Sequence, residues 1–222
     1  MRNIIFSENE FYHIYNRGVD KRNVFNNGKD VERFFQSMLM FNTIEPIGSI
    51  FENSFNHRKT KQTSKPKEVK VLVNFTAYCL NPNHYHFIIQ QVAEKGVEKF
   101  MHRLGTGYTK YFNAKNKRTG SLFQGKFKAT HIESNDHLLH LSAYVNLNGR
   151  VHQLGSRASK LVKNRSSWLE YLGQSNDIFC KKDIILGQFK NSDEYKKFAL
   201  ETLERVIQRK GELKEIKDYL LE

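Results

Sequence analysis

The succession of strand-like and helix-like segments along this chain predicts an α+β fold: a ferredoxin-like antiparallel sheet with packed helices, followed by a helical C-terminal tail. Three observations carry that expectation. Aromatic and β-branched runs of strand length occupy residues 11–16, 69–80 and 84–92; apolar residues recur at helical intervals over 30–41, 95–114 and 134–146; and Asn81-Pro82-Asn83 joins two of the strands by a turn suited to an antiparallel hairpin. The resulting order is β-α-β-β-α-β-α, in a chain of 222 residues that is long enough to bury a substantial core.

Phe11-Tyr12-His13-Ile14-Tyr15-Asn16 reads as the first strand, ended by Arg17-Gly18. Val31, Phe34, Phe35, Met38 and Leu39 mark the apolar face of a helix between Asp30 and Phe41. Residues 45–68 hold Pro46, Gly48, Ser49, the basic cluster His57-Arg58-Lys59-Thr60-Lys61 and Pro66 with little periodicity, which predicts a mobile insertion. Val69–Leu80 and His84–Val92 form the hairpin. Val97, Phe100, Met101, Leu104, Tyr108 and Tyr111 then follow helical spacing from about 95 to 114, with Gly105 and Gly107 predicting a kink.

Thr119 to Glu133 reads as a basic strand or extended segment. Ser134 or Asn135 caps a helix through Asn146, with Leu138, Leu141 and Val145 on one face. Beyond Gly149 the chain is basic and loop-like from Arg150 to Arg165. Trp168–Leu172 is a short apolar piece, and Tyr195–Leu221 reads as one or two amphipathic helices divided near Gly211. The best boundary between a main domain and an extension lies at 150–165.

A hydrophobic content of 39% with 17 Phe excludes a disordered chain, and no apolar stretch approaches the roughly 18 to 20 residues that span a bilayer, so no membrane is expected. The start, Met1-Arg2-Asn3-Ile4-Ile5-Phe6-Ser7-Glu8, lacks the pattern of a signal peptide, and the expected location is cytoplasmic. Cys79 and Cys180 form no CxxC pair, which argues against a disulfide framework or a thiolate zinc site and for buried thiols. A net charge of +13 implies an anionic partner, and with this many aromatics nucleic acid is the first candidate.

Two features point to chemistry. His84 and His86 open a strand, where alternate side chains share a face, so both imidazoles project together and can share one divalent cation. A nucleotidyl-transferring His-x-His-x-His triad is excluded because residue 88 is Ile, and the paired His-x-Thr motifs of a phosphodiesterase are absent. Tyr144 and Asn148 lie four positions apart at the end of a helix, about 6 Å along the axis and nearly on one face. A phenol oxygen and an amide carbonyl can there complete an oxygen-and-nitrogen shell. Taken singly, each pair is as well explained by packing: a chance or packed histidine pair, and a core tyrosine with a helix-ending asparagine.

Four segments in order resemble the single-tyrosine HUH transposases of the insertion-sequence type, in particular their REP-associated tyrosine transposase branch. They are Phe11–Gly18, Asn81–Ile89, Gly120–Lys128 and Ala143–Gly149, covering residues 11 to about 150. The resemblance implies an HUH nuclease core over residues 1–150, with the insertion at about 45–68, and a basic linker and helical extension over 151–222. It implies strand transfer on single-stranded DNA with a hairpin in the substrate. His84 and His86 would hold Mg²⁺ or Mn²⁺, Asn148 would be the third ligand, and Tyr144 the nucleophile that forms a 5′-phosphotyrosine. The family usually has proline after that asparagine, where this chain has Gly149. Members of the wider family act as homodimers; the REP-associated branch need not.

For DNA contacts, Tyr111, Phe112, Phe123 and Phe127 interleave with Lys115, Lys117, Arg118, Lys126 and Lys128, a composition that pairs phosphates and stacks bases, and Arg17 ends the first strand. Tyr108 and Tyr111 are rival nucleophiles, ranked below Tyr144 because Phe112 and Lys115 stand four residues after them, where no metal ligand is offered. The alternative function is a domesticated protein of the same fold that binds nucleic acid without cleaving it.

Overall fold

The aromatic and β-branched run at the N-terminus forms β1 (Phe11–Arg17), which buries Tyr12, Ile14 and Asn16 on one side and turns His13, Tyr15 and Arg17 to the other. The computed structural model to which it belongs describes residues 4–50, 70–151, 165–175 and 179–219, with side chains as far as residue 209. The predicted insertion and the predicted basic linker therefore fall largely outside the described residues.

After a short turn, α1 (Gly28–Met40) begins at Asn27, whose side chain accepts the Asp30 backbone N–H. The hairpin follows as β2 (Val73–Asn81) and β3 (His84–Gln91), then α2 (Gly96–Lys115), β4 (Lys128–His131) and α3 (Asn135–Val151). A two-residue β5 (Arg165–Ser166), the short α4 (Trp168–Tyr171) and α5 (Asp183–Leu186), and a long α6 (Ser192–Tyr219) complete the described order. The strands form one antiparallel sheet in the order β4-β1-β3-β2-β5, so the first four have the ferredoxin-like arrangement expected from the sequence.

Each face of the sheet has its own core. Tyr12, Ile14, Tyr85, Phe87 and Ile89 meet Phe34, Met38, Phe100, Leu104 and Tyr108 of α1 and α2. On the opposite face Ala77, Cys79 and Ile88 meet Ala143, Val145 and Leu147 of α3, with Trp168, Tyr171, Tyr195 and Ala199 behind them. Trp168, Tyr171, Ile185, Tyr195 and Ala199, all after 165, are thus packed into the second core, while Cys180 joins the first. Both cysteines are buried free thiols, and among the described residues no helix is long and apolar enough to cross a membrane.

Four boundaries differ from the sequence expectation. α2 runs as one helix through Gly105 and Gly107; a Cβ on Gly107 would lie 2.6 Å from the Phe41 ring, so this glycine admits a packed aromatic and introduces no break. The basic segment after Thr119 is mostly loop, because Gly120 and Gly125 take φ values of +83° and +68° that leave the extended region. α3 continues past Asn146 to Val151, which puts Asn148 inside the helix. α6 passes Gly211 without division.

Candidate active site

The Asn81-Pro82-Asn83 turn is held at three backbone points. Pro82 O accepts N–H groups from Val24 and Phe25 at 2.8 and 3.0 Å, and Asn83 O accepts from Gly18 at 2.8 Å. Gly18 has to be glycine, since a Cβ there would stand 2.1 Å from Arg22 O. The strand that starts at His84 therefore begins from a fixed position. Register places His84 between Arg17 of β1 and Asn81 of β2, and His86 between Tyr15 and Cys79. These residues share the face covered by α3.

A chain of side-chain hydrogen bonds sets the state of His84. Asn83 Nδ2 donates to Lys21 O at 3.1 Å, which turns its Oδ1 towards His84 Nδ1 at 2.6 Å. An amide oxygen only accepts, so His84 carries its proton on Nδ1 and presents a lone pair on Nε2. That Nε2 lies 3.0 Å from Asn148 Oδ1, also an acceptor. The Asn81 amide donates to both, at 3.0 and 2.8 Å, and its own orientation is set by the Cys79 thiol, 3.8 Å from its Oδ1.

Two acceptors facing each other at this distance are electrostatically unfavourable unless something positive sits against both, a part that the Asn81 amide plays here and that a cation can also play. The spacing fits a cation: neighbouring ligands of an octahedral ion with bonds of about 2.1 Å stand about 3.0 Å apart. Asn148 is fully buried. Its Nδ2 meets no acceptor with hydrogen-bond geometry, although it lies close enough to the Tyr144 phenol to favour the phenolate. Among the described residues no three His, Cys, Asp or Glu are grouped so as to hold a metal ion; the oxygen that faces His84 Nε2 belongs to the Asn148 amide.

His86 is braced by its neighbours. Its Nδ1 lies 2.9 Å from His13 Nε2, and its ring runs nearly parallel to those of His13 and Tyr15, with centroids 5.1 and 5.6 Å away. Burial, with His137 nearby, pushes His13 down to about 4, so this imidazole is neutral at neutral pH. The His84 and His86 rings are 5.2 Å apart and nearly perpendicular. The Tyr144 ring stands edge-on to His86 at 5.7 Å. Burial raises the Tyr144 phenol above its ordinary value, the Asn148 amide opposes that rise, and Cys79 and Tyr15 add to it.

His84, His86, Tyr144 and Asn148 thus meet within a single chain. Arg17 and Lys128 lie on the same face, opposite His84 and Tyr15 respectively, and Arg17 Nε is held by Gln124 Oε1 at 2.8 Å. The other predicted cations lie at the end of α2 and in the loop after it. Lys115 is bound to the buried Asp30 carboxylate. Arg118 covers the Phe112 ring and donates to Ser121 O; Lys117 and Lys126 are exposed. The rival Tyr108 is buried on the opposite side of the sheet with its hydroxyl on Val24 O at 2.7 Å, and Tyr111 donates to Asp30. Sequence reasoning missed Asn81, Asn83, His13 and Tyr15. The last two were open to the period-two argument that found His84 and His86, since they alternate with Arg17 along β1.

Residues 48–148 match the model of a family described as IS200-like transposases, and the match takes in both histidines, Tyr144 and Asn148. The family so matched is one of transposases, enzymes that act on DNA. A solved structure of a REP-associated tyrosine transposase bound to a REP hairpin is similar at 12% identity and a TM-score of 0.48, over 82% of this chain and 96% of that one. No curated protein matches.

Proposed function

We propose that the chain is a divalent-metal-dependent endonuclease and strand transferase for single-stranded DNA, with Tyr144 as its nucleophile. The observation that carries this reading is the pair of acceptors His84 Nε2 and Asn148 Oδ1, 3.0 Å apart, one helical turn from Tyr144. His84, His86 and Asn148 would hold Mg²⁺ or Mn²⁺, a donor set that suits Mn²⁺ well and Mg²⁺ adequately. Bound there, the ion would offset the charge on the scissile phosphate.

The remaining work falls to the protein's own groups. Tyr144 Oη attacks the phosphorus, and the new O–P bond replaces the bond to O3′. The phenol proton passes to solvent and the released O3′ takes one up, leaving a 5′-phosphotyrosine and a free 3′-hydroxyl. One ester has replaced another, so attack by a 3′-hydroxyl on the phosphotyrosine rejoins DNA without ATP. Arg17, steadied by Gln124, and Lys128 supply positive charge for phosphates beside the cleaved bond. Lys117, Arg118 and Lys126 serve the strand farther away, whereas Lys115 is committed to Asp30. The likeness of the four motifs to the REP-associated branch supports a hairpin in the substrate. One chain holds the whole set of four residues, so this reading needs no second copy to complete the site.

The test is incubation with labelled single-stranded hairpin DNAs and Mn²⁺, scored for a protein–DNA adduct that survives denaturant. The expected adduct disappears in Tyr144→Phe and with a chelator. An adduct that survives in Tyr144→Phe refutes the assignment of the nucleophile. Binding without an adduct, across a varied hairpin pool, transfers support to the binding-only alternative.

A further inference from the structure

Between α2 and the loop that precedes β4 lies a cavity of about 1060 Å³, on the face of the sheet that packs against α1 and α2, away from Tyr144. It is at the upper end of the size of ligand pockets. Its floor is apolar, from Met101, Leu122, Phe123 and Phe127, and its rim is basic, with Lys110, Lys126 and His102 against the single acid Glu98. Apolar rings under a rim of cations are what a nucleic-acid strand presents itself to: bases stack on the rings and phosphates meet the lysines.

Gly105 gives an independent reason to read this cavity as a site. Glycine is a poor helix former, and one inside a helix calls for an explanation. Gly107 has one, the Phe41 ring. Gly105 lines the cavity, yet no atom of the described residues lies within 4 Å of where its Cβ would be, and no positive φ is required there. Packing among the described residues does not need this glycine; a ligand lying flat along the helix backbone would.

The cavity is also tied to the active site. In the loop that borders it, Gln124 holds the Arg17 side chain and donates its backbone N–H to Arg17 O at 2.8 Å, while Asn16 Nδ2 donates to Gly125 O. Lys126 and Phe127, next in the same loop, line the cavity. We infer that this cavity binds an unpaired stretch of the DNA substrate, with bases over Phe127 and the exposed backbone at Gly105 and phosphates at Lys110 and Lys126. The inference rests on the single-stranded DNA reading above.

The test measures binding of fluorescein-labelled 20-nucleotide oligothymidine to the full chain across a salt series, with thermal melting of each variant. Gly105→Leu projects a side chain into the cavity from a Cβ that meets no atom of the described residues; it should weaken binding about fivefold or more and leave the melting temperature at or above that of the parent. Lys126→Ala should reduce the slope of log affinity against log salt by about 0.7, the contribution of one single-strand phosphate. Parent-like affinity and slope in both variants would overturn the inference. Should Gly105→Leu fail to fold, Lys126→Ala and Phe127→Ala decide the matter in the same assay. The Tyr144 adduct separates the two readings: an adduct with binding indifferent to these substitutions refutes only the cavity, whereas sensitive binding with no adduct refutes only the cleavage chemistry.

Discussion

Replacing Asn83 by alanine removes the acceptor that fixes the His84 proton on Nδ1. The hydrogen bond is short, 2.6 Å, and the amide is oriented by Lys21 O, so the imidazole loses both its tautomer preference and a rotational restraint. Loss of such an outer partner costs about 10- to 100-fold in metal affinity. Asn83 and His84 are only half-buried, so water replaces part of the contact, and the expected loss lies near the low end, about tenfold or ~1.4 kcal/mol. Asn83→Asp keeps an acceptor and adds charge; it should retain or exceed parent affinity. The assay is Mn²⁺ titration without DNA, read by the loss of free-ion spin resonance, with thermal melting alongside. Because the Gly18 contact uses the Asn83 backbone oxygen, the melting temperature of the alanine variant should move little. Unchanged Mn²⁺ affinity in Asn83→Ala would refute the argument that this amide prepares His84 as a ligand.

Tyr108→Phe leaves Val24 O without its buried partner, so it should lower stability by about 1–3 kcal/mol in a urea melt while preserving the DNA adduct that Tyr144→Phe abolishes. Lys115→Met should cost about 1–2 kcal/mol, less than a fully buried pair because the lysine is partly exposed, and should affect DNA affinity less than Arg17→Ala does in a filter-binding assay. Gly107→Ala forces Phe41 to move and should destabilise by about 1–2 kcal/mol despite the better helix propensity of alanine; a gain in stability would show that the Phe41 ring yields freely.

The antiparallel hairpin, the pairing of His84 with His86 and that of Tyr144 with Asn148 were readable because each rests on a short-range rule: alternation along a strand, one turn along a helix, a turn sequence between two strands; that the two pairs belong together was implied only by the family resemblance. What the sequence could not display is which polar side chains these rules bring together from far apart. Asn83 looked like a turn residue and Asn81 like its partner, yet the lone pair of His84 depends on one and the approach of Asn148 on the other. Lys115 sat in a basic run that suggested phosphate contacts; the buried Asp30, 85 positions away, claims it. The kink expected at Gly105 and Gly107 failed for the same reason, since the demand on Gly107 comes from Phe41 across an interhelical contact.

The family match ends at Asn148, but the groups that set the rotation of α3 do not. Asn146 Nδ2 donates to the Tyr195 hydroxyl at 2.8 Å, Ser167 Oγ donates to Asn146 Oδ1 at 2.5 Å, and the Ser142 and Tyr195 hydroxyls pair at 3.1 Å. Tyr195 is fully buried, and burial pushes its phenol up to about 12, so it keeps its proton and its bonds across the neutral range. These contacts tie α3 to Tyr195 of α6 and, through Ser167, to the Tyr78 backbone of β2. A helix turns by about 100° per residue, so a slip of one position would carry Tyr144 and Asn148 off the histidines altogether. The polar cluster opposes that slip, because any rotation leaves Asn146 or Tyr195 buried without a partner. Residues beyond 165 therefore do for the tyrosine helix what the Asn83 turn does for the histidine strand: each half of the site is held by buried hydrogen bonds that lie outside it.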